Sequence, residues 1–210
     1  MVNVMIVEDQ KMVRMLLESY INKHEGYNVA ASIPGAYQAP EICNTMPIDL
    51  VIMDVQTKER ENGLVATERI KREHPEIKVV IATSLADHDV LKKAKACGAD
   101  SMWYKDADEE TIENVVRLTM KGEHIFPDAP PTVNIGTARS TEFTKTELKI
   151  LRYIIRGVSY ASISESLGVE VTTVKYHVTN MLQKTNLKNK LQLALAVTDV
   201  KLIAELDDGE

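Results

Sequence analysis

The sequence predicts an α/β unit built on a five-stranded parallel sheet, followed by a small all-α unit of four helices. Three observations support this. Over roughly residues 1–121, short apolar runs rich in Val and Ile alternate with amphipathic stretches. That is the pattern of strands buried on both faces and joined by right-handed helical crossovers. Residues 122–142 then lose periodicity and collect Gly122, Pro127, Pro130, Pro131 and Gly136, a semi-stiff linker. From Phe143 onward, helical periodicity returns, punctuated by Gly157 and Gly168.

The first strand is Val2–Val7, and it ends in Glu8-Asp9. A helix follows, with Val13, Leu16, Leu17, Tyr20 and Ile21 on one face. Next come a strand over 27–33 and a weak helix over 36–45 that tolerates Pro40 only in its first turn. The third strand, within Ile48-Asp49-Leu50-Val51-Ile52-Met53-Asp54, ends on a carboxylate. A charged loop leads to a helix over 64–73 that stops at Pro75. Then follow a strand over 77–83, a helix over 87–97 closed by Gly98, a strand over 100–104 and a helix over 108–120. In the second unit, Thr144-Lys145-Thr146-Glu147 forms a capping box ahead of Leu148, Leu151 and Ile155. Helices over 160–167 and 171–184 and a last helix carrying Leu191, Ala194, Leu195 and Val197 complete it. That last stripe either closes the small core or pairs with a second copy.

Composition excludes several classes. A hydrophobic fraction of 44% and a charged fraction of 27% are ordinary for a globular protein. No apolar run reaches the ~18 residues needed to span a bilayer, and no signal-peptide pattern opens the chain, so a cytoplasmic location without membrane partners is expected. Cys43 and Cys97 lie far apart without His neighbours, as two reduced thiols would. The net charge of −6 is unevenly spread: residues 1–142 hold 16 Lys+Arg against 23 Asp+Glu, and residues 143–200 hold 8 against 4. An acidic module joined to a basic one points to two different partners. The last ten residues form an acidic tail.

A parallel sheet gathers the ends of its strands, where ligands collect. Glu8 and Asp9 follow the first strand, Asp54 ends the third, Thr83 ends the fourth, and Lys105 follows the fifth. Clustered carboxylates suit a hard divalent cation, with Mg²⁺ favoured because it pairs carboxylates with phosphate oxygens. A hydroxyl and an ammonium beside them suit phosphoryl oxygens, and Asp54 can then act as nucleophile. In the second unit, the helix over 171–184 shows Val171, Val174, Val178, Met181 and Leu182 on one side and Thr172, Lys175, Tyr176, Thr179, Asn180 and Gln183 on the other. Two helices joined by a tight Gly turn, the second with such a face, suggest a helix-turn-helix that enters the DNA major groove.

Glu8-Asp9, Asp54, Thr83 and Lys105, in this order and on these strands, resemble the flavodoxin-like receiver domain of bacterial two-component response regulators over roughly 1–121. Phe143-Thr144-Lys145-Thr146-Glu147, Gly157-Val158-Ser159, Thr173-Val174-Lys175-Tyr176-His177 and Leu187-Lys188-Asn189-Lys190 resemble the LuxR-type DNA-binding domain, placed here at 143–210. Together they resemble the NarL/LuxR class. The resemblance implies Mg²⁺ held by Asp9, Asp54 and the backbone carbonyl of Gln56, with Glu8 nearby. It implies Asp54 phosphorylated from a sensor histidine kinase, with Lys105 and Thr83 holding the phosphoryl group. It further implies a transcription factor that dimerises on double-stranded DNA. Lys175, Tyr176 and Thr179 would face the bases, and Thr173, Lys184 and Lys188 the phosphates. His177 fits either DNA contact or packing.

Departures from the family pattern are specific. The loop from Val55 to Asn62 is about two residues longer than usual and lacks Met-Pro. Met102 stands where the family's switch aromatic lies, and Trp103 and Tyr104 are not like-for-like replacements. A second reading follows, of an atypical receiver whose output is set by protein contacts or constitutive dimerisation. A third, an Asp-nucleophile phosphatase on a related fold, would place another Asp two residues after the nucleophile, where Gln56 stands.

Overall fold

The structure is a computed structural model, and the residues described are 1–105 and 111–203. They form two compact units, one holding Met1–Ser84 and His88–Pro130 and a second holding Leu85–Asp87 and the residues from Pro131 onward. The expected helix start at Asp108 and the acidic tail beyond Ile203 lie outside the described residues.

In the first unit, β1 (Val2–Val7), β2 (Tyr27–Ile33), β3 (Leu50–Asp54), β4 (Lys78–Thr83) and β5 (Ser101–Tyr104) make one sheet in the order β2-β1-β3-β4-β5. Every pairing is parallel. The chain crosses between strands through α1 (Lys11–Asn22), α2 (Ala39–Thr45), α3 (Gly63–Glu73) and α4 (His88–Ala96), and α5 (Ile112–Met120) follows the last strand. All five residues of β3 are buried, as an apolar strand at the centre of a doubly covered sheet requires. Alternation divides its side chains. Leu50 and Ile52 join Val4, Ile6 and Val80 beneath Leu17 and Ile21 of α1 and Val115 and Val116 of α5. Val51 and Met53 point to the opposite face. Cys43 is buried in α2, where desolvation pushes its thiol up to about 11, so it is an inert packing residue.

Two features hold the strand ends in place. At the amino end of β5, buried Asp100 accepts from Lys71 Nζ (3.0 Å), Lys78 Nζ (2.9 Å) and the Val79 amide (2.9 Å). At the carboxyl end of β3, Gly63 packs directly on the backbone. A Cβ built there would lie 1.9 Å from the Asp54 carbonyl oxygen, and the Gly63 amide donates to the Val55 carbonyl (2.9 Å). The long loop is therefore closed tightly at its base, and its extra length is taken up at the tip, in a 3-10 turn over Lys58–Arg60 with Glu59 at φ 61°.

The stretch expected to be a linker is structured over most of its length. Residues 122–126 lie along the exposed edge of β5. There the Met102 amide donates to the Ile125 carbonyl (2.8 Å), the Ile125 amide to Ser101 Oγ (3.0 Å), and His124 Nδ1 to the Asp100 carbonyl (2.9 Å). These bonds occupy part of an otherwise open strand edge.

The second unit is not purely helical. A hairpin of β6 (Asn134–Ile135) and β7 (Ala138–Arg139) precedes α6 (Lys145–Ile155), α7 (Tyr160–Leu167), α8 (Val171–Thr185) and α9 (Lys190–Asp199). Two-residue strands are too short to leave a period in the sequence. Ile135 and Ala138 join Phe143, Ile150, Leu151, Ile154, Ile163, Val174, Val178 and Met181 in one core. The hairpin turn also satisfies carbonyls left over at the end of α8: the Thr137 amide donates to the Thr185 carbonyl (3.1 Å) and its hydroxyl to that of Lys184 (2.9 Å). The Thr144/Glu147 capping box is present as expected, with bonds of 2.7 and 3.2 Å.

Because Gly63 meets backbone rather than a side-chain end that could move aside, Gly63→Ala should destabilise the first unit by about 3 kcal/mol, the upper range for overpacking. Urea unfolding of the full chain checks this.

Candidate functional site

The carboxyl ends of β1 and β3 are neighbours in the sheet, and this places Glu8, Asp9 and Asp54 together. One carboxylate oxygen from each lies within 4.8 Å of the others. Glu8 and Asp54 are buried and Asp9 is exposed, so the cluster has a dry floor and one wet side. Lys105, reaching over from the end of β5, donates to Glu8 Oε2 and lies 2.9 Å from Asp54 Oδ2. The Val55 amide donates to Asp54 Oδ1 (2.7 Å), and the Gln10 amide to Glu8 Oε1 (3.0 Å). Arg14, which sequence reasoning did not single out, donates to the Glu8 carbonyl (2.6 Å) and braces the turn after β1.

One ammonium thus serves two buried carboxylates. Desolvation raises Asp54 to about 6, with the Glu8 charge adding to the rise and Lys105 and the Val55 amide opposing it. Lys105 is buried too, which works against its charge, but Asp54 and Glu8 together outweigh that and hold it more firmly protonated. Asp100 is the contrast. It is also buried, yet two lysines and an amide outweigh the desolvation and keep its carboxyl below the ordinary range. Asp54 is under-compensated, so a cation is the natural complement to its site.

Three hard oxygen donors at this spacing fit Mg²⁺, with a backbone carbonyl and waters to complete an octahedron. Gln56 is half-buried and lies on the rim, paired by an antiparallel bridge with Asn62. Thr83 is buried at the end of β4, in register with Tyr104. Met102 is fully buried, in register with Ile81. The aromatic in register with Thr83 is therefore the residue just before Lys105.

On the second unit, Lys175, Tyr176 and Thr179 are exposed along one side of α8, and Thr173 is half-buried in its first turn. The Thr179 hydroxyl donates to the Lys175 carbonyl (2.9 Å). His177 is half-buried with its ring edge-on to Tyr176, centroids 5.7 Å apart. Lys188 is exposed in the α8–α9 connection. Lys184 departs from expectation. Its ammonium donates to both oxygens of Glu147 (2.9 and 2.8 Å) and to the Glu142 carbonyl (3.0 Å). All three donors of a lysine are then in use, so Lys184 ties α8 to α6 rather than offering itself to a phosphate. On α9, Leu193 and Val197 close the core while Leu191 and Leu195 are exposed.

Asp54 has a consequence for stability. Its folded value of about 6 lies above the ordinary 3.8. The contribution of its protonated form is therefore complete below about 3.8 and lost as pH rises through about 6. In a chelator at pH 8, Asp54→Asn should be more stable than the parent, on the order of 2 kcal/mol, and the gain should fade toward pH 4. Urea unfolding across this range reads it.

Comparison with known proteins agrees with this geometry. Residues 4–117 match the response regulator receiver domain family, and residues 141–197 match the luxR family of bacterial regulatory proteins. The response regulator protein VraR of Staphylococcus aureus is 28% identical over 207 residues, covering 96% of this chain and 99% of that protein. VraR of Staphylococcus epidermidis is 29% identical over the same shares. In fold, the chain resembles RcsB of Salmonella enterica serovar Typhimurium bound to the promoter P1flhDC in the presence of the phosphomimetic BeF3⁻. The TM-score is 0.62 at 16% identity, over 95% of this chain and 98% of that one. A receiver domain followed by a LuxR-type DNA-binding domain makes this chain a member of the response regulator family.

Proposed function

We infer that Asp54 is the phosphoacceptor and that its phosphorylation controls binding of the second unit to double-stranded DNA. The observation behind this is the convergence of Glu8, Asp9 and Asp54 within 4.8 Å beside Lys105. Asp9, Asp54 and the Gln56 carbonyl would hold Mg²⁺, with Glu8 at its edge, and the ion would offset charge between the carboxylates and an incoming phosphoryl group. An Asp54 carboxylate oxygen attacks phosphorus, forming an acyl phosphate as the P–N bond of the phosphohistidine of a sensor kinase breaks. Lys105 exchanges its Asp54 contact for the new phosphoryl oxygens, and the Thr83 hydroxyl donates to another.

The output is a dimer on two half-sites. Lys175, Tyr176 and Thr179 face base edges, Thr173 and Lys188 face phosphates, and Lys184 positions α8 from behind. Exposed Leu191 and Leu195 on α9 suit pairing with a second copy. These roles place the protein in the cytoplasm, where kinase and DNA meet. The alternative, an output independent of phosphorylation, is favoured by buried Met102 at the switch position.

Acetyl phosphate should label the parent chain, and Asp54→Ala should abolish the label; a label that persists sinks the assignment. Beryllofluoride should raise DNA affinity of the parent, and no change favours the alternative. At fixed salt, Lys175→Ala should weaken DNA binding by roughly 1–3 kcal/mol, read by fluorescence anisotropy.

A further inference from the structure

The loop that departs from the family pattern is not a free insertion. Its tip is fastened to the turn between β2 and α2 by three bonds across the sequence. Glu61 Oε2 accepts from the Tyr37 amide (2.8 Å), Thr57 Oγ1 accepts from the Ala36 amide (2.9 Å), and the Lys58 amide donates to the Pro34 carbonyl (3.3 Å). The amides of Ala36 and Tyr37 are the leading donors of the helical stretch that becomes α2, and such donors need partners. The residue at the N-cap is Gly35, which offers no side-chain acceptor. The loop supplies the cap instead.

Gly35 also makes room for it. Its backbone is extended at φ −131°, so no left-handed conformation calls for glycine there. A Cβ at Gly35 would lie 2.6 Å from Glu61 Oε2. The Glu61 carboxylate occupies the space a side chain would fill.

The clamp leads back to the acceptor site through the loop's own ladder. The Thr57 amide donates to the Glu61 carbonyl (3.1 Å), Gln56 bridges Asn62, and the Gly63 amide donates to Val55 (2.9 Å). Gln56 thus sits on one arm of a short ladder whose other arm is pinned by Glu61. The tip contains Glu59 in the left-handed region, a strained conformation for a non-glycine residue that persists only when its surroundings enforce it.

We propose that Glu61 is a positioning residue for the divalent cation: by clamping the extended β3–α3 loop to the β2–α2 turn, it fixes the Gln56 carbonyl at the metal site. The proposal rests on the phosphoacceptor reading above. A ligand held in place by an outer contact binds metal more tightly than one that must be ordered on binding.

Amide NMR titration of the full chain with MgCl₂ tests it. Glu61→Ala should raise the Mg²⁺ dissociation constant by roughly tenfold, the low end of what outer contacts contribute. Glu61→Gln keeps an acceptor for the Tyr37 amide without the charge and should stay within about twofold of the parent by the same reasoning. Unchanged affinity in Glu61→Ala overturns the proposal. Weakening in Glu61→Gln as large as in Glu61→Ala also overturns it, since charge alone would then be responsible. A parent chain that takes up no Mg²⁺ overturns the phosphoacceptor reading and this proposal with it, whereas parent binding with unaltered variants overturns the proposal alone.

Discussion

The first unit is organised around one lysine that has to serve two buried carboxylates. Lys105 bonds Glu8 and lies 2.9 Å from Asp54, joining the ends of β1, β3 and β5. Removing charge from water is costly unless each ion is fully paired. Asp100, at the opposite end of the same sheet, shows what full pairing does: two lysines and an amide keep it charged and inert. Asp54 has half a lysine and one amide. The same fold therefore holds one aspartate firmly charged and leaves the other poorly paired, and the difference lies in the number of donors each receives.

That under-compensation imposes a demand on the backbone around Asp54. A poorly paired buried carboxylate persists only if its strand and the following loop cannot shift to expose it. Gly63 meets this demand by packing against the Asp54 carbonyl, closer than any side chain would allow. With the base of the loop closed, two additional residues can be accommodated only at the tip, which reaches the β2–α2 turn and caps it.

The second unit follows a related rule. Buried Glu147 closes the capping box of α6 and also receives Lys184 from α8, so one carboxylate fixes a helix start and the placement of the helix that carries Lys175 and Tyr176. Burial alone would raise Glu147, but Lys184 and Thr144 outweigh it and hold the carboxyl below its ordinary value. The β6–β7 hairpin anchors the same, C-terminal end of α8 through Thr137. A helix held at its far end presents its exposed face without having to be ordered on binding.

Much of this was legible in the sequence, because much of it is local. The alternation of apolar runs and amphipathic helices, the acid at the end of β3, the Thr144/Glu147 box and the glycines after α4 and α7 are all set by residues within a few positions of one another. That Glu8, Asp9, Asp54 and Lys105 come together was legible too, since a parallel sheet must bring its strand ends together. What only the tertiary structure decided is how the charges pair. Lys105 meets Glu8 across 97 positions, Lys184 meets Glu147 across 37, and Glu61 caps a helix 24 positions earlier. A lysine in a sequence is free to meet a phosphate or a carboxylate. Which one it meets depends on distance and burial, and those exist only once the chain has folded.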